Sequence, residues 1–281
     1  MREIDVAEIR DAVARLAIDA CYHLGDDVVG FFERAVDEEE SEAGRDVFQQ
    51  LLENAAVART ENLPLCQDTG LAVVFLEVGQ DVHFVGGDLG SAIDEGVRRG
   101  YADGFLRKSS VTAPFTERKN TGDNTPAVLH TSIVPGDRVK ITLAPKGGGA
   151  ENMSALSMLK PSQGRPGVVD FVVDTVAKAG PNACPPMVVG VGVGSTFEGA
   201  ALLAKHSLMR EVGSSNPEPR LAELEDELER RCNDLGIGPQ GLGGRITVMD
   251  VFVEDAPAHI ASLPVAVNIQ CHSARHKQVV I

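Results

Sequence analysis

Asn62-Leu63-Pro64-Leu65-Cys66-Gln67-Asp68-Thr69-Gly70 stands between a polar run of helical period and the apolar, strand-like run Leu71 to Val78. Read as a turn at the mouth of a sheet, it organises the chain on either side. Pro64 fixes the approach and Gly70 permits a tight exit, so the thiol, amide and carboxylate between them are expected to point in a defined direction. Turns of this kind on a rigid scaffold are where chemistry concentrates. A thiolate there can bind a soft metal, and an acid two residues on can move a proton beside it. Taken alone, a single loop cysteine reads more readily as an unliganded thiol.

Upstream of the turn, residues 1–60 read as three helices. The first carries Val6, Ile9, Val13, Leu16 and Ala17 and ends at Cys21; the second centres on Val28, Val29, Phe32 and Val36; the third carries Val47, Leu51, Leu52, Ala55 and Ala58. The acidic run Asp37 to Glu40, followed by Glu42, reads as a solvated helix junction. Downstream, Leu71 to Val78 and Asp81 to Val85 read as paired strands joined by Gly79-Gln80. A helix with Ile93, Val97 and Tyr101 on one face leads to Arg107, and Ser109 to Thr125 reads as a long loop. Two strands follow, Ala127 to Val134 and the alternating Val139, Ile141, Leu143.

These strands run into Lys146-Gly147-Gly148-Gly149, where exposed backbone N–H groups suit a carboxylate nest, although a flexible loop is the plainer reading. A helix over 167–179 stops at Gly180-Pro181. Cys184-Pro185-Pro186 then precedes the strand Met187 to Val193. Its alternating glycines are a weak cofactor signal and more simply mark the close packing of another backbone. Two helices, near 195–211 and 219–235, precede a last sheet region that begins at Ile246 and Val248. It continues past His259 and ends at Cys271-His272. No composition break or repeat divides the chain. The expected fold is α+β: one mixed domain over residues 1–281, with a mainly antiparallel sheet surrounded by helices.

At 281 residues and 43% hydrophobic content the chain can bury a large core. Its formal charge of -15 argues against a nucleic-acid surface, which needs clustered Lys and Arg. No apolar run reaches the length of a membrane span, and Met1 to Ala20 carries Arg2, Glu3, Asp5, Glu8, Arg10 and Asp11 instead of a signal-peptide core. The expected location is the cytoplasm. Five cysteines without a secretory signal make a disulfide framework improbable. Cys21 and Cys232 fall on helical stripes and read as packing or surface residues, whereas Cys66, Cys184 and Cys271 sit at turns or a strand end.

Three separated stretches, Asn62 to Gly70, Lys146 to Asn152 with Cys184 to Gly194, and Asn268 to His276, together resemble one family. It is the α subunit, or N-terminal domain, of the iron-sulfur hydro-lyases: the class I fumarate hydratases and L-tartrate dehydratases. The resemblance implies a 4Fe-4S cluster held by Cys66, Cys184 and Cys271, which leave one iron open to act as a Lewis acid. It also implies substrate-side roles for Gln67, Arg107 and the backbone of Gly148, and proton transfer by Asp68 and His259; Lys146, beside the glycine-rich nest, is a further candidate for binding the substrate. A small dicarboxylate would be the substrate, with hydration of fumarate to malate as the leading reading and tartrate dehydration as the alternative. Longer members continue into a second domain, so the resemblance implies a β subunit as partner. A reading from another class is an iron-sulfur protein that serves redox or iron sensing.

Overall fold

The periodic stripes become helices with buried inner faces, and the alternating runs become strands. The computed structural model describes every residue from Met1 to Ile281. In chain order the elements are β1 (Arg2–Asp5), α1 (Val6–Tyr22), α2 (Asp26–Glu38), α3 (Glu42–Glu61), β2 (Leu71–Gly79), β3 (Val82–Val85), α4 (Leu89–Asp103), β4 (Val111–Thr112), β5 (Lys119–Asn120) and β6 (Val128–Val134). There follow β7 (Val139–Lys146), α5 (Gly148–Glu151), β8 (Ala155–Leu159), α6 (Gly164–Ala179), β9 (Met187–Gly194), α7 (Phe197–Ser207), α8 (Pro219–Asn233), β10 (Val248–Ala256), β11 (Leu263–Gln270) and β12 (Lys277–Val280). Five of the eight strand pairings are antiparallel, so the class is α+β. No helix is long and apolar enough to cross a membrane.

The chain divides into two compact units. The first comprises residues 1–24, 55–147 and 275–281. Its sheet has the order β12-β7-β2-β6, with β7 antiparallel to both of its neighbours and β6 parallel to β2. Asp5 caps α1 by accepting from Ala7 N–H at 2.8 Å. Ile9, Val13, Leu16 and Cys21 then line the buried side of the helix with Ile93, Val97 and Tyr101 of α4. The two helices approach closely because α4 presents Gly96 and Gly100: a Cβ there would stand 2.6 Å from Arg10 O and 2.7 Å from Ala14 O. Each fully buried Val, Leu or Ile in such a core contributes roughly 1.5–3 kcal/mol.

The expected pairing of the strands around Gly79-Gln80 does not form. β3 pairs in parallel with β1, Arg2 opposite Val82, while β2 pairs with β6 and β7. The turn backbone is committed to the connection between β6 and β7, with Gly79 N–H bonded to Arg138 O and Gln80 N–H to Val134 O, each at 2.8 Å. The stretch read as a long loop carries the short antiparallel pair β4 and β5. It is pinned by the buried Asn124, whose Oδ1 accepts from Ser109 N–H at 2.7 Å.

The second unit, residues 25–54 and 148–274, has the sheet order β10-β9-β11-β8. Val168, Val172 and Val176 of α6 and Leu221, Leu224 and Leu228 of α8 share a core with Val189, Val191, Val251 and Val267 of the sheet. Ala200 and Ala204 of α7 form a separate buried cluster with Ala266 of β11. The alternating glycines of β9 serve this packing: a Cβ at Gly190 would stand 2.1 Å from Ala204 O, and one at Gly192 2.1 Å from Ala200 O.

The acidic junction Asp37 to Glu42 is not simply a solvated face. Glu39 is buried, and its carboxylate accepts from the backbone N–H groups of Ser41, Arg245 and Ile246, each at 2.9 Å. Burial alone would raise its pKa, but these backbone bonds outweigh that cost and hold it below the ordinary carboxylate value.

Glu229 and Asp250 behave in the opposite way. Burial, then repulsion from Asp250 and Asp226, pushes Glu229 up to about 7; burial also raises Asp250 to about 6 against the backbone N–H bonds of Gly213 and Val251. A carboxyl raised in the fold keeps its proton where the unfolded chain has lost it. Its contribution to stability is therefore complete below about pH 4.5 and lost as pH rises through about 7. Glu229→Gln, which keeps the shape without the charge, is expected to raise Tm by a few degrees at pH 8 and to leave it unchanged near pH 4. After discounting for solvent screening this corresponds to about 1–2 kcal/mol. Thermal melts of both proteins across that range check it.

Candidate functional site

The turn after α3 is fixed from several sides within the first unit. Leu65 N–H bonds to Cys21 O at 2.8 Å, and Cys21 Sγ lies 4.0 Å from Thr69 O. The phenol of Tyr101, fully buried, donates to the carbonyls of Thr69 at 2.8 Å and Gly70 at 3.1 Å. Asn124 Nδ2 adds a bond to Gly70 O at 3.1 Å. Gly70 has φ +69°, and a Cβ there would lie 2.5 Å from the backbone of Lys146, so both its conformation and its neighbour require glycine.

On this frame Cys66 is half-buried and Gln67 exposed. Asp68 N–H points at Cys66 Sγ at 3.4 Å, and the Asp68 carboxylate turns back to accept from Gly70 N–H at 3.0 Å. Asp68 Oδ2 would stand 3.1 Å from a Cβ on Gly147, so the carboxylate faces the start of the glycine-rich segment. Thr69 Oγ1 donates to the carbonyl of Arg107 at 3.0 Å, tying that exposed residue to the same turn. Lys146, 6% exposed, closes β7 opposite Leu71. The first unit therefore gathers Cys66, Gln67, Asp68, Arg107 and Lys146 in one region.

The second unit gathers Cys184 and Cys271. Cys184 follows a 3₁₀ turn in a left-handed conformation, φ 53° and ψ 65°, a strained choice for a side-chain-bearing residue. Its carbonyl accepts from His272 N–H at 3.2 Å and lies 3.1 Å from His272 Nδ1. Gln240 reinforces the junction: its backbone N–H and side-chain amide bond to Pro185 O at 2.8 and 2.9 Å, and that amide lies 3.0 Å from His272 Nδ1. Cys184 precedes β9 and Cys271 follows β11, so antiparallel pairing of these strands brings both thiols to one end of the sheet. Gly148 begins the four-residue α5, where a flexible loop was the plainer expectation.

His259 lies elsewhere. It sits exposed in the connection from β10 to β11, with Nδ1 accepting from Ala261 N–H at 3.1 Å. That connection is at the opposite end of the sheet from Cys184 and Cys271, and the intervening β9 is eight residues long. At about 3.3 Å per residue the strand separates them by roughly 23 Å. No three His, Cys, Asp or Glu side chains converge closely enough to hold a single metal ion.

Cys21 and Cys232 are fully buried, as their helical stripes imply, and burial pushes their thiols up to about 11 and about 12. The residues not anticipated are Tyr101 as a backbone clamp, Asn124, Gln240 and His272; Arg275, within the stretch Asn268 to His276, reads from the sequence as one of the few cations near the motifs, but not as a bond to the Asp68 carbonyl. Of the first four, only His272, adjacent to Cys271, carried a signal in its position.

A family model described as fumarate hydratase (Fumerase) matches residues 10–280. The chain belongs to that family. Among relatives of this fumarate hydratase family member, a Methanocaldococcus jannaschii protein provisionally named L(+)-tartrate dehydratase subunit alpha is 41% identical over 275 residues, covering 95% of each chain. L(+)-tartrate dehydratase subunit alpha of Escherichia coli strain UTI89 is 36% identical over 273 residues, covering 96% of this chain and 89% of the relative. The protein of that name from strain K12 is 35% identical over 279 residues, covering 98% of this chain and 91% of the relative.

Proposed function

We propose that this chain is the α subunit of a 4Fe-4S-dependent hydro-lyase that interconverts fumarate and malate. The observation that carries the reading is the pairing of a tightly held Cys66-Gln67-Asp68 turn with Arg107 and Lys146, the cations a dicarboxylate requires. The donor chemistry fits a thiolate-held group. Cys66, Cys184 and Cys271 are half-buried, Asp68 N–H is directed at one of the sulfurs, and a buried guanidinium nearby, that of Arg275, has unfilled donors. Those three thiolates would hold the cluster, which would supply Lewis-acid chemistry toward the substrate hydroxyl.

The remaining work falls to side chains. Arg107 and Lys146 hold the substrate carboxylates, with the Gly148 backbone and the Gln67 amide fixing orientation. Asp68, its carboxylate aimed by Gly70 N–H, carries a proton at the turn. A proton-transfer role for His259, which the family resemblance implies, gains no support from its place at the opposite end of the sheet from Cys184 and Cys271. A β subunit completes the positive cradle and excludes water from it.

Tartrate as substrate is favoured by the names of the relatives and uses the same groups on a diol. The test is anaerobic co-purification with a β subunit, analysis of iron and sulfide, and assay on fumarate, malate and L-tartrate. The expected result is about four irons per chain, low turnover from the chain alone and a large gain on adding the partner. Turnover of tartrate alone would reject fumarate as the substrate. A stable cluster whose spectrum ignores all three acids would favour the redox or sensing role.

A further inference from the structure

Arg275 is 4% exposed, yet its only hydrogen bond is from Nη2 to the neutral carbonyl of Asp68. Nε–H and both N–H bonds of Nη1 are buried and meet no acceptor in the protein. A guanidinium cannot shed its charge by deprotonation, so a buried one with unfilled donors is stable only if an anion meets it. Asp68 Oδ1 accepts from Gly70 N–H, and neither Nε nor Nη1 of Arg275 makes a hydrogen bond to the Asp68 carboxylate. The Cys21 thiol and the Tyr101 phenol both feel the charge of Arg275 as well as that of Asp68. Asp68 therefore links two groups through one peptide unit: its N–H is directed at Cys66 Sγ and its C=O receives Arg275.

We infer that Arg275 holds an anion at the Cys66–Asp68 turn through Nε–H and Nη1–H, while Nη2 fixes the turn itself. This rests on the hydro-lyase reading only for the identity of the anion. It is either a carboxylate of the C4 substrate or the sulfide edge of a thiolate-held cluster; both are acceptors of charge-assisted hydrogen bonds. Arg275, one of the few cations near the motifs, is thus a binding and positioning residue.

The test compares wild type, R275Q and R275K in the full chain purified anaerobically with its β subunit. Succinate, an unreactive C4 dicarboxylate, is titrated calorimetrically, and iron and sulfide are measured on the same samples. If the anion is the carboxylate, R275Q binds succinate at least tenfold more weakly with iron unchanged. If it is the cluster edge, R275Q keeps succinate affinity and loses more than half its iron. Lys retains the charge but cannot meet the turn and the anion together, so R275K shows a loss of threefold or more in the same readout. R275K decides the matter should R275Q not unfold cooperatively. Wild-type values for both readouts, or a lower Tm alone, would reduce Arg275 to a structural clamp and overturn the inference. Arg275-dependent succinate binding by a wild-type complex without hydro-lyase activity would retain it while rejecting the proposed function.

Discussion

Cys66→Ser, Cys184→Ser and Cys271→Ser, made one at a time, are each expected to strip iron and sulfide from the anaerobically purified chain and to abolish hydro-lyase turnover. Cys21→Ser and Cys232→Ser should leave iron per chain unchanged. The contrast is physical. Cys21 and Cys232 are sealed in helix-packed cores where burial raises their thiols, and a group held as the neutral thiol is a poor ligand. Cys66, Cys184 and Cys271 are half-buried at turns, and two of them are joined through His272 and the Cys184 carbonyl. A cluster held by three protein ligands, as proposed, would have too few to persist after losing one, so the expected effect is all or none and not graded. Iron and sulfide analysis with visible absorption reads it. A variant of the first three with normal iron content would leave the ligand set.

Glu39→Ala is expected to destabilise the second unit by about 2–4 kcal/mol, because three backbone N–H groups, that of Ile246 buried and the other two partly so, lose their acceptor at once. The surroundings are shaped to this carboxylate: a Cβ at Gly44 would lie 2.7 Å from Glu39 Cγ, and one at Gly244 2.5 Å from Glu39 Oε1. Alanine would leave both a cavity and orphaned donors. Glu39→Gln should cost less, since one oxygen remains an acceptor while the NH₂ group faces a donor. The pH dependence is opposite to that of Glu229. A carboxylate lowered in the fold stabilises fully above its ordinary value of 4.5, and that contribution is lost as pH falls through the lower folded pKa. Urea unfolding at pH 7 and at pH 4 or below measures both effects; a small, pH-independent loss for Glu39→Ala would refute the account.

Helices and most strands were legible because their apolar period is local: the stripe Ile9, Val13, Leu16 and the alternation Val139, Ile141, Leu143 each name a buried face. Pairing was less legible. Arg2 to Asp5 has three charged residues in four, and nothing local says that it adds in parallel beside Val82–Val85. The two-residue spacing at Gly79-Gln80 fits a hairpin, but tertiary bonds to Val134 and Arg138 claim that backbone. Glu39 escaped for a similar reason, because its acceptors serve N–H groups about two hundred positions away. At the site, the turn itself could be read from Pro64, Cys66, Asp68 and Gly70. The clamps from Tyr101 and Asn124 could not, since each resembles an ordinary helix or loop residue until the chain is folded; Arg275 could be read as a cation near the motifs, but not as the partner of the Asp68 carbonyl.

The first unit is assembled from segments far apart along the chain, and this bears on the order in which it can form. β12 must find β7, Lys277 opposite Leu143, across the whole of residues 148–274. Closing so long a loop adds little free energy, since the cost grows only logarithmically, but such distant pairing slows the search. A ribosome releases β2, β6 and β7 well before β12 exists, and the nascent sheet has an open edge throughout that interval. Arg275 emerges with β12, so the Asp68 carbonyl waits just as long for its partner. The Cys66 turn thus gains its Arg275 partner only after residues 148–274 have been synthesised, however early the turn itself is made.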